Sequence, residues 1–75
     1  MNYFELFAIE QTYNIDQKLL QTQYFILQAK HHPDRSRNEL ERRENLEYSM
    51  LINEAFKILQ DDYLRAEYLL KIKGE

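Results

Sequence analysis

Two histidines, a proline and an aspartate follow one another at His31, His32, Pro33 and Asp34. Imidazole nitrogens and a carboxylate are groups that ligate metals or transfer protons in enzymes, which makes His31, His32 and Asp34 candidates for either role. Adjacent histidines point in different directions at a helix end, however, and no second cluster of ligand residues follows in the chain. The same four residues also describe an ordinary turn between helices that carries a surface histidine. The residues around them must decide between these interpretations.

The proline forces a break in the backbone at this point. Proline lacks a backbone N–H and disfavours the α conformation in the residue before it. We therefore expect a helix from the N-terminal side to end at about His31, with His32 beyond the last regular turn. The Asp34 carboxylate is suited to accept hydrogen bonds from nearby backbone N–H groups. Ser36 and Glu39 have the spacing of a capping box, which predicts that the next helix begins there.

Two helical patterns precede the turn. Asn2 and Glu5 predict a short, capped first helix, and Asp16 is a suitable N-cap for a second helix that runs to His31. The inward stripe of this second helix repeats every three or four residues and consists of Leu20, Tyr24, Leu27 and His31. Such a stripe is typical of a packed core, so we interpret His31 as a packing residue rather than a ligand.

Two further helical patterns follow the turn. We expect a third helix from about Glu39 to Gln60 and a fourth after Asp61 and Asp62, with Gly74 just beyond its end. The buried stripe of the third helix is predicted to be Tyr48, Ile52, Ala55, Phe56 and Leu59. The charged residues in its first half are interpreted as a solvated face. The predicted architecture is all-α: an antiparallel helical hairpin joined by an exposed loop, with short first and last helices.

Composition supports a single small helical domain. The 75 residues include one Gly and one Pro, too few for a fold that is rich in tight turns. Without cysteine the chain has no disulfide and no thiolate metal site. The sequence has no secretory signal pattern, and no apolar segment approaches the length that spans a membrane. A net charge of −3 and the lack of a basic helix face argue against a three-helix DNA-binding module.

Several motifs in a fixed order resemble the J-domain family. His32-Pro33-Asp34 lies between two helices, and a later segment reads Ile-Asn-x-Ala-Phe-x-x-Leu from Ile52 to Leu59. The ends are similar to those of the HscB group, the iron–sulfur co-chaperones of this family. They are Tyr-Phe-x-Leu-Phe at residues 3–7 and Arg-Ala-Glu-Tyr-Leu-Leu at residues 65–70. The similarity extends from Tyr3 to Gly74.

The resemblance implies a co-chaperone and not an enzyme. In that family the His-Pro-Asp loop and the second helix dock on a DnaK- or HscA-type chaperone and stimulate its ATP hydrolysis, in the HscB case for iron–sulfur cluster assembly and protein maturation. A general DnaJ-like J-domain that serves protein folding is the alternative. The resemblance implies partner-binding roles for His32, Pro33, Asp34, Lys30, Arg35, Lys18 and Ile26. It implies no cofactor, no metal, no nucleic acid and no membrane, a monomer, and a location in the bacterial cytoplasm or the mitochondrial matrix.

Two departures from the family pattern affect these expectations. The second helix carries only Lys18 and Lys30 where J-domains commonly present several basic residues, so docking is expected to rely more on apolar contact through Ile26 and on Arg35. HscB proteins also continue into a second helical domain that holds the iron–sulfur scaffold protein. We therefore expect residues 1–75 to form one J-domain without that C-terminal scaffold-binding domain.

Overall fold

The computed structural model describes residues 1–74, which form four α-helices and one turn of 3₁₀ helix. The helices are α1 (Tyr3–Leu6), α2 (Gln17–Lys30), α3 (Glu39–Gln60) and α4 (Asp62–Gly74), and the 3₁₀ turn is Pro33–Arg35. No residue in 1–74 belongs to a β-strand, and the predicted all-α class is confirmed. Within the same residues, none of the helices is long and apolar enough to cross a membrane.

Side-chain caps set the beginnings of the helices. The Asn2 carboxamide accepts from the Glu5 N–H at 2.9 Å, and the Glu5 carboxylate accepts from the Asn2 N–H at 2.9 Å, so the predicted capping box of α1 is present. Asp16 accepts from the backbone N–H groups of Lys18 and Leu19, which confirms it as the N-cap of α2. The Asp61 carboxylate accepts from the Leu64 N–H at 2.9 Å and starts α4.

Cross-links between α2 and α3 establish that the two helices are antiparallel. Gln17 donates to the Gln60 carbonyl, the Tyr24 hydroxyl donates to Asn53, and the Gln28 side chain bonds to Ser49. Residue numbers therefore fall along α3 as they rise along α2. This is the predicted helical hairpin, with the 3₁₀ turn and its flanking residues as the connection between the two helices.

The hydrophobic core lies where α1 is pressed between α3 and the other helices. Its buried members are Phe4, Leu6, Phe7, Leu20, Ile52, Ala55 and Leu59. Two aromatic residues of the predicted α3 stripe lie at the edge of this core and are only half-buried. Phe56 stacks on Tyr24 with the ring centroids 4.2 Å apart, and Tyr48 stacks on His31 at 4.1 Å. The helical period placed these side chains on the inward face, but the width of the hairpin leaves part of each ring in contact with solvent.

A buried arginine attaches α4 to the rest of the fold. Arg65 is 3 % exposed, and its guanidinium donates to the carbonyls of Tyr13 and Leu59, each at 2.8 Å, and to the Asp62 carboxylate at 2.7 Å. It also lies 4.7 Å from the centre of the Tyr13 ring. One side chain therefore joins the loop before α2, the end of α3 and the start of α4.

Two predicted helix ends are wrong. The N-cap of α3 is Asn38 and not Ser36: the Asn38 side chain accepts from the Glu41 N–H at 2.8 Å, while Ser36 accepts from the Asn45 side chain. Ser36 is engaged as the C-cap of the 3₁₀ turn, which leaves Asn38 to begin α3. Gly74 lies within α4 rather than beyond it.

Candidate functional site

The loop between α2 and α3 is a short, hydrogen-bonded turn. His31 ends α2 by donating its N–H to the Leu27 carbonyl at 3.1 Å. His32 then takes an extended conformation, φ −66° and ψ 131°, as the residue before proline requires. The Arg35 N–H donates to the His32 carbonyl at 3.0 Å, which closes one 3₁₀ turn around Pro33. The predicted break at the proline is confirmed, and the backbone on both sides of it is ordered by these bonds.

The His32 ring caps this turn. Its Nδ1 accepts a hydrogen bond from the Asp34 N–H at 3.2 Å, so in this arrangement the neutral ring carries its proton on Nε2. The Asp34 Oδ2 atom lies 3.7 Å from the same Nδ1, and these two atoms form an ion pair only when the ring is protonated. Protonation would remove the lone pair that the Asp34 N–H uses. The two interactions are therefore alternatives, and the neutral ring has the hydrogen bond.

The role predicted for the Asp34 carboxylate as a turn acceptor is wrong. Among residues 1–74 no backbone N–H donates to it, because the His32 ring takes the capping position instead. The Asp34 side chain is 87 % exposed and the His32 side chain 58 % exposed. Both functional groups of the loop are consequently accessible to a molecule that approaches from solvent, while the backbone beneath them is fixed.

Contacts with α3 hold the loop in place. The His31 ring lies nearly parallel to the Tyr48 ring, with an angle of 10° between them. On the other side, the Asn45 side chain donates to the Ser36 hydroxyl at 3.0 Å. His31 is therefore a packing residue, as predicted, and the loop is braced before and after the His-Pro-Asp residues. Residues 1–74 bring no three His, Asp or Glu side chains close enough together to bind a metal ion.

The start of α3 carries the strongest electrostatic feature near the loop. Arg37 donates to the Glu41 carboxylate through its backbone N–H at 2.9 Å and through its guanidinium at 3.1 Å. The backbone hydrogen bond, and next the side-chain hydrogen bonds, hold the pKa of Glu41 below its ordinary value. Arg37 is thus engaged at the helix start rather than directed at the His-Pro-Asp residues.

The predicted partner-binding residues occupy one end and one side of the hairpin. His32, Pro33, Asp34 and Arg35 share the 3₁₀ turn region, and Lys30 is exposed one residue before the end of α2. Ile26 is 56 % exposed and precedes Lys30 by one helical turn. Lys18 is exposed as well, but it lies about 18 Å further along α2. The structure brings together every predicted residue except Lys18.

Sequence reasoning missed two features close to the site. Phe25 is 63 % exposed on the outside of α2, where a ring of this size has no structural partner in the core. Gln28 links the helices by hydrogen bonds to Asn53 at 2.8 Å and Ser49 at 2.8 Å. The signal for the second feature was the helical register, because an antiparallel hairpin places these polar residues opposite one another.

Comparison with known proteins agrees with this geometry. The profile of the DnaJ domain matches residues 2–68. The chain is 42 % identical over 76 aligned positions to the co-chaperone protein HscB homolog of Shewanella pealeana, and 42 % identical to the co-chaperone protein HscB of Buchnera aphidicola. Each alignment covers 99 % of this chain and 44 % of the relative.

Solved structures give the same result. The fold is similar to that of the chaperone HscB from Vibrio cholerae, with a TM-score of 0.92 and 39 % identity, and to that of the human co-chaperone HscB, with a TM-score of 0.94 and 34 % identity. Both comparisons cover all of this chain, but 47 % and 39 % of those two chains respectively. The chain therefore spans less than half the length of the relatives that it matches.

Proposed function

This chain belongs to the DnaJ-domain family, and from that premise we propose that it is a co-chaperone, which binds a DnaK- or HscA-type chaperone and stimulates the ATP hydrolysis of that partner. The observation that carries the proposal is the His-Pro-Asp loop: its two functional side chains are largely exposed, on a backbone that α3 braces from both sides. A loop that is ordered before docking loses less conformational entropy when the partner binds.

The chemistry of the loop suits recognition of a cationic partner group. The exposed Asp34 carboxylate accepts charge-assisted hydrogen bonds, which are stronger than neutral ones, and an arginine of the chaperone is the complementary donor. The neutral His32 ring offers Nε2–H as a second, directional donor, because its Nδ1 is occupied within the turn. Stimulation requires that these contacts be stronger in the hydrolysis-competent state of the partner than in its resting state.

The remaining contacts are proposed to come from the residues next to the loop. Lys30 and Arg35 flank it with positive charge, Ile26 extends the contact area by one turn of α2, and Lys18 adds a charge at the far end. Exposed charges of this kind contribute chiefly to the rate of encounter and to specificity. The chain is proposed to work as a monomer and to have no hydrolytic activity of its own.

The HscB relatives favour a role in iron–sulfur cluster assembly and protein maturation, in the bacterial cytoplasm or the mitochondrial matrix. Binding of the iron–sulfur scaffold protein is assigned to the C-terminal domain of HscB proteins, outside these 75 residues. The alternative is a general J-domain that serves protein folding with a DnaK-type partner. A larger stimulation of an HscA-type than of a DnaK-type chaperone would favour the iron–sulfur role, and the reverse order would favour the alternative.

The test is a steady-state ATPase assay of an HscA-type chaperone with this chain and with His32→Gln. Stimulation by His32→Gln should fall at least about tenfold, the effect of losing 1.4 kcal/mol of interaction in the activated complex. Its melting temperature should stay within about 4 °C of wild type, because glutamine keeps an acceptor for the Asp34 N–H and a net hydrogen bond contributes only about 1 kcal/mol.

The matched control is His31→Gln, which removes the neighbouring histidine that stacks on Tyr48. This variant should melt at a lower temperature and still stimulate the chaperone when it is assayed well below that temperature. Full stimulation by His32→Gln would refute the proposed role of the loop. Unfolding of His32→Gln would show that the residue acts on the fold rather than on a partner.

A further inference from the structure

We infer that one flank of the α2–α3 hairpin is a mixed apolar and basic docking surface for the partner chaperone, in which α3 supplies cations that α2 lacks. This inference rests on the proposed function and names the chemistry of the partner surface. The flank consists of Lys18 and Phe25 on α2 and of Arg42, Leu46, Met50 and Lys57 on α3. We refer to these six residues as the hairpin flank.

The α2 part of the hairpin flank is a single helical stripe. Lys18, Gln21, Phe25 and Gln28 are spaced by three, four and three residues, so they follow one another along the same side of the helix. Lys18 and Gln21 are exposed, and Phe25 is 63 % exposed. The stripe ends at Gln28, which is the residue that bonds to α3.

The α3 part is a second stripe with the same character. Arg42, Leu46, Met50, Asn53 and Lys57 are spaced by four, four, three and four residues and are all exposed. Met50 is 63 % and Leu46 47 % exposed, so two large apolar side chains lie in solvent between two cations. No carboxylate within residues 1–74 lies within ion-pair distance of Arg42 or Lys57.

Hydrogen bonds between the helices show that the two stripes adjoin. Gln28 at the end of the α2 stripe donates to Asn53 in the α3 stripe at 2.8 Å. Phe25 precedes Gln28 by three residues and Met50 precedes Asn53 by three, so each apolar side chain lies beside this bridge on the same side of the hairpin. The surface is also continuous with the loop, since Asn45, three residues after Arg42, donates to Ser36.

Charge separates the hairpin flank from the other exposed side of α3. There, Glu44, Glu47, Leu51 and Glu54 form a stripe spaced by three, four and three residues, with three carboxylates and no cation. The charged residues of α3 are therefore sorted by side, although the chain as a whole is acidic. A solvated face alone does not require such sorting. The hairpin flank presents an apolar centre between cations, which complements an apolar patch rimmed by carboxylates.

The size of the hairpin flank favours a transient partner over a second copy of this chain. Arg42 to Lys57 spans about 22 Å of helix, and the axes of packed helices are about 9 Å apart. The projected area is thus roughly 200 Å², whereas a stable interface buries about 800 Å² on each partner. Together with the adjacent loop, the flank is suited to a contact that forms and dissociates in each ATPase cycle.

The experiment measures the concentration of chain that gives half-maximal stimulation of an HscA-type chaperone ATPase. The double variant F25S/M50S should raise this concentration at least about tenfold, the effect of losing 1.4 kcal/mol of binding, with little change in maximal stimulation because the loop is intact. Its matched control is Y63S/L70S, which removes an equally exposed aromatic and aliphatic pair from α4, 72 % and 73 % exposed. The control should shift the concentration less than about twofold, or 0.4 kcal/mol.

The cations are tested separately by their dependence on salt. R42Q/K57Q should bind more weakly than wild type at low ionic strength and lose most of that difference near 0.5 M salt, where exposed charges are screened. Removal of Lys71 and Lys73 from α4, as K71Q/K73Q, is the control and should behave like wild type. Melting curves verify that all four variants are folded.

The outcomes distinguish the flank from the loop. If His32→Gln abolishes stimulation but F25S/M50S behaves like Y63S/L70S, the hairpin flank is refuted and the proposed function stands. If wild type stimulates neither an HscA-type nor a DnaK-type chaperone, the proposed function itself fails. If sedimentation shows a dimer that F25S/M50S dissociates, the flank serves self-association and the inference is overturned.

Discussion

Replacement of Arg65 by methionine tests how α4 is attached to this fold. The guanidinium is 3 % exposed and donates to two carbonyls and one carboxylate. Methionine keeps most of the length and the apolar character of the side chain but has no donor. The Leu59 carbonyl lies in the last turn of α3, where intrahelical partners are lacking, so Arg65 provides a hydrogen bond that α3 cannot supply.

The three bonds differ in what they contribute. The Asp62 side chain is 74 % exposed, so its ion pair with Arg65 is largely screened by solvent and contributes little. The carbonyls of Tyr13 and Leu59 each lose a charged donor, at a cost of about 1–3 kcal/mol apiece. Removing a buried charge also recovers part of its desolvation penalty, so we expect a net loss of about 3 kcal/mol. A domain of this size has a total stability of about 4–11 kcal/mol.

The assay is thermal and urea unfolding followed by helical circular dichroism. A loss of about 3 kcal/mol predicts a melting temperature about 12–24 °C below that of wild type for a domain of this length. Asp62→Asn should lower the temperature by no more than about 6 °C, and Arg43→Met, the same change at an exposed position of α3, should have almost no effect. An Arg65→Met variant within about 3 °C of wild type would refute the reasoning, and a large effect of Asp62→Asn would assign the stability to the ion pair.

Three further predictions concern stability and partner choice. Phe56→Ala should cost about 2–3 kcal/mol in urea unfolding, below the range for a fully buried phenylalanine, because the ring is half-buried against Tyr24 and Phe7; a loss under 1 kcal/mol would contradict the stacking. Because hydrogen bonds from Arg37 lower the pKa of Glu41, that carboxylate stabilises the fold above its ordinary pKa of 4.5, and the contribution disappears as the pH falls through the lower folded-state value. The difference in melting temperature between wild type and Glu41→Gln should therefore be present at pH 7 and vanish in strong acid, whereas a constant difference would exclude the linkage. Finally, titration of the labelled 75-residue chain with the iron–sulfur scaffold protein should give no detectable binding, and micromolar binding would place client recognition on these helices.

Much of the fold is predictable because its helices begin at side chains whose capping chemistry is local. Asn2 and Asp16 accept hydrogen bonds from residues two or three positions ahead, so short sequence windows contain the whole interaction. The start of α3 was misjudged because Ser36 and Asn38 both have capping side chains. The decision between them depends on Asn45, which binds Ser36 from nine residues away and which the local pattern does not include.

The attachment of α4 was not predictable by the same reasoning. An arginine in an amphipathic helix is ordinarily a surface residue, and a sequence window around Arg65 contains only Leu59 and Asp62 among its partners. The Tyr13 carbonyl is 52 residues away, and a backbone carbonyl leaves no mark on residue identity. The resemblance to HscB proteins pointed to this segment, but it did not reveal that Arg65 is the buried junction of three elements.

The exposed loop and its braces divide two tasks between neighbouring residues. His32 and Asp34 are largely exposed, while His31 and Ser36 are held by Tyr48 and Asn45 of α3. Changes in the first pair should therefore act on the partner with little effect on stability, since few native contacts are lost. Changes in the second pair should first loosen the loop, and the chaperone would then have to order it on docking, at a cost of about 1–2 kcal/mol for each backbone residue. Weak stimulation by a well-folded brace variant at low concentration, restored at high concentration, would identify this entropic cost, because the contacts themselves would be unchanged.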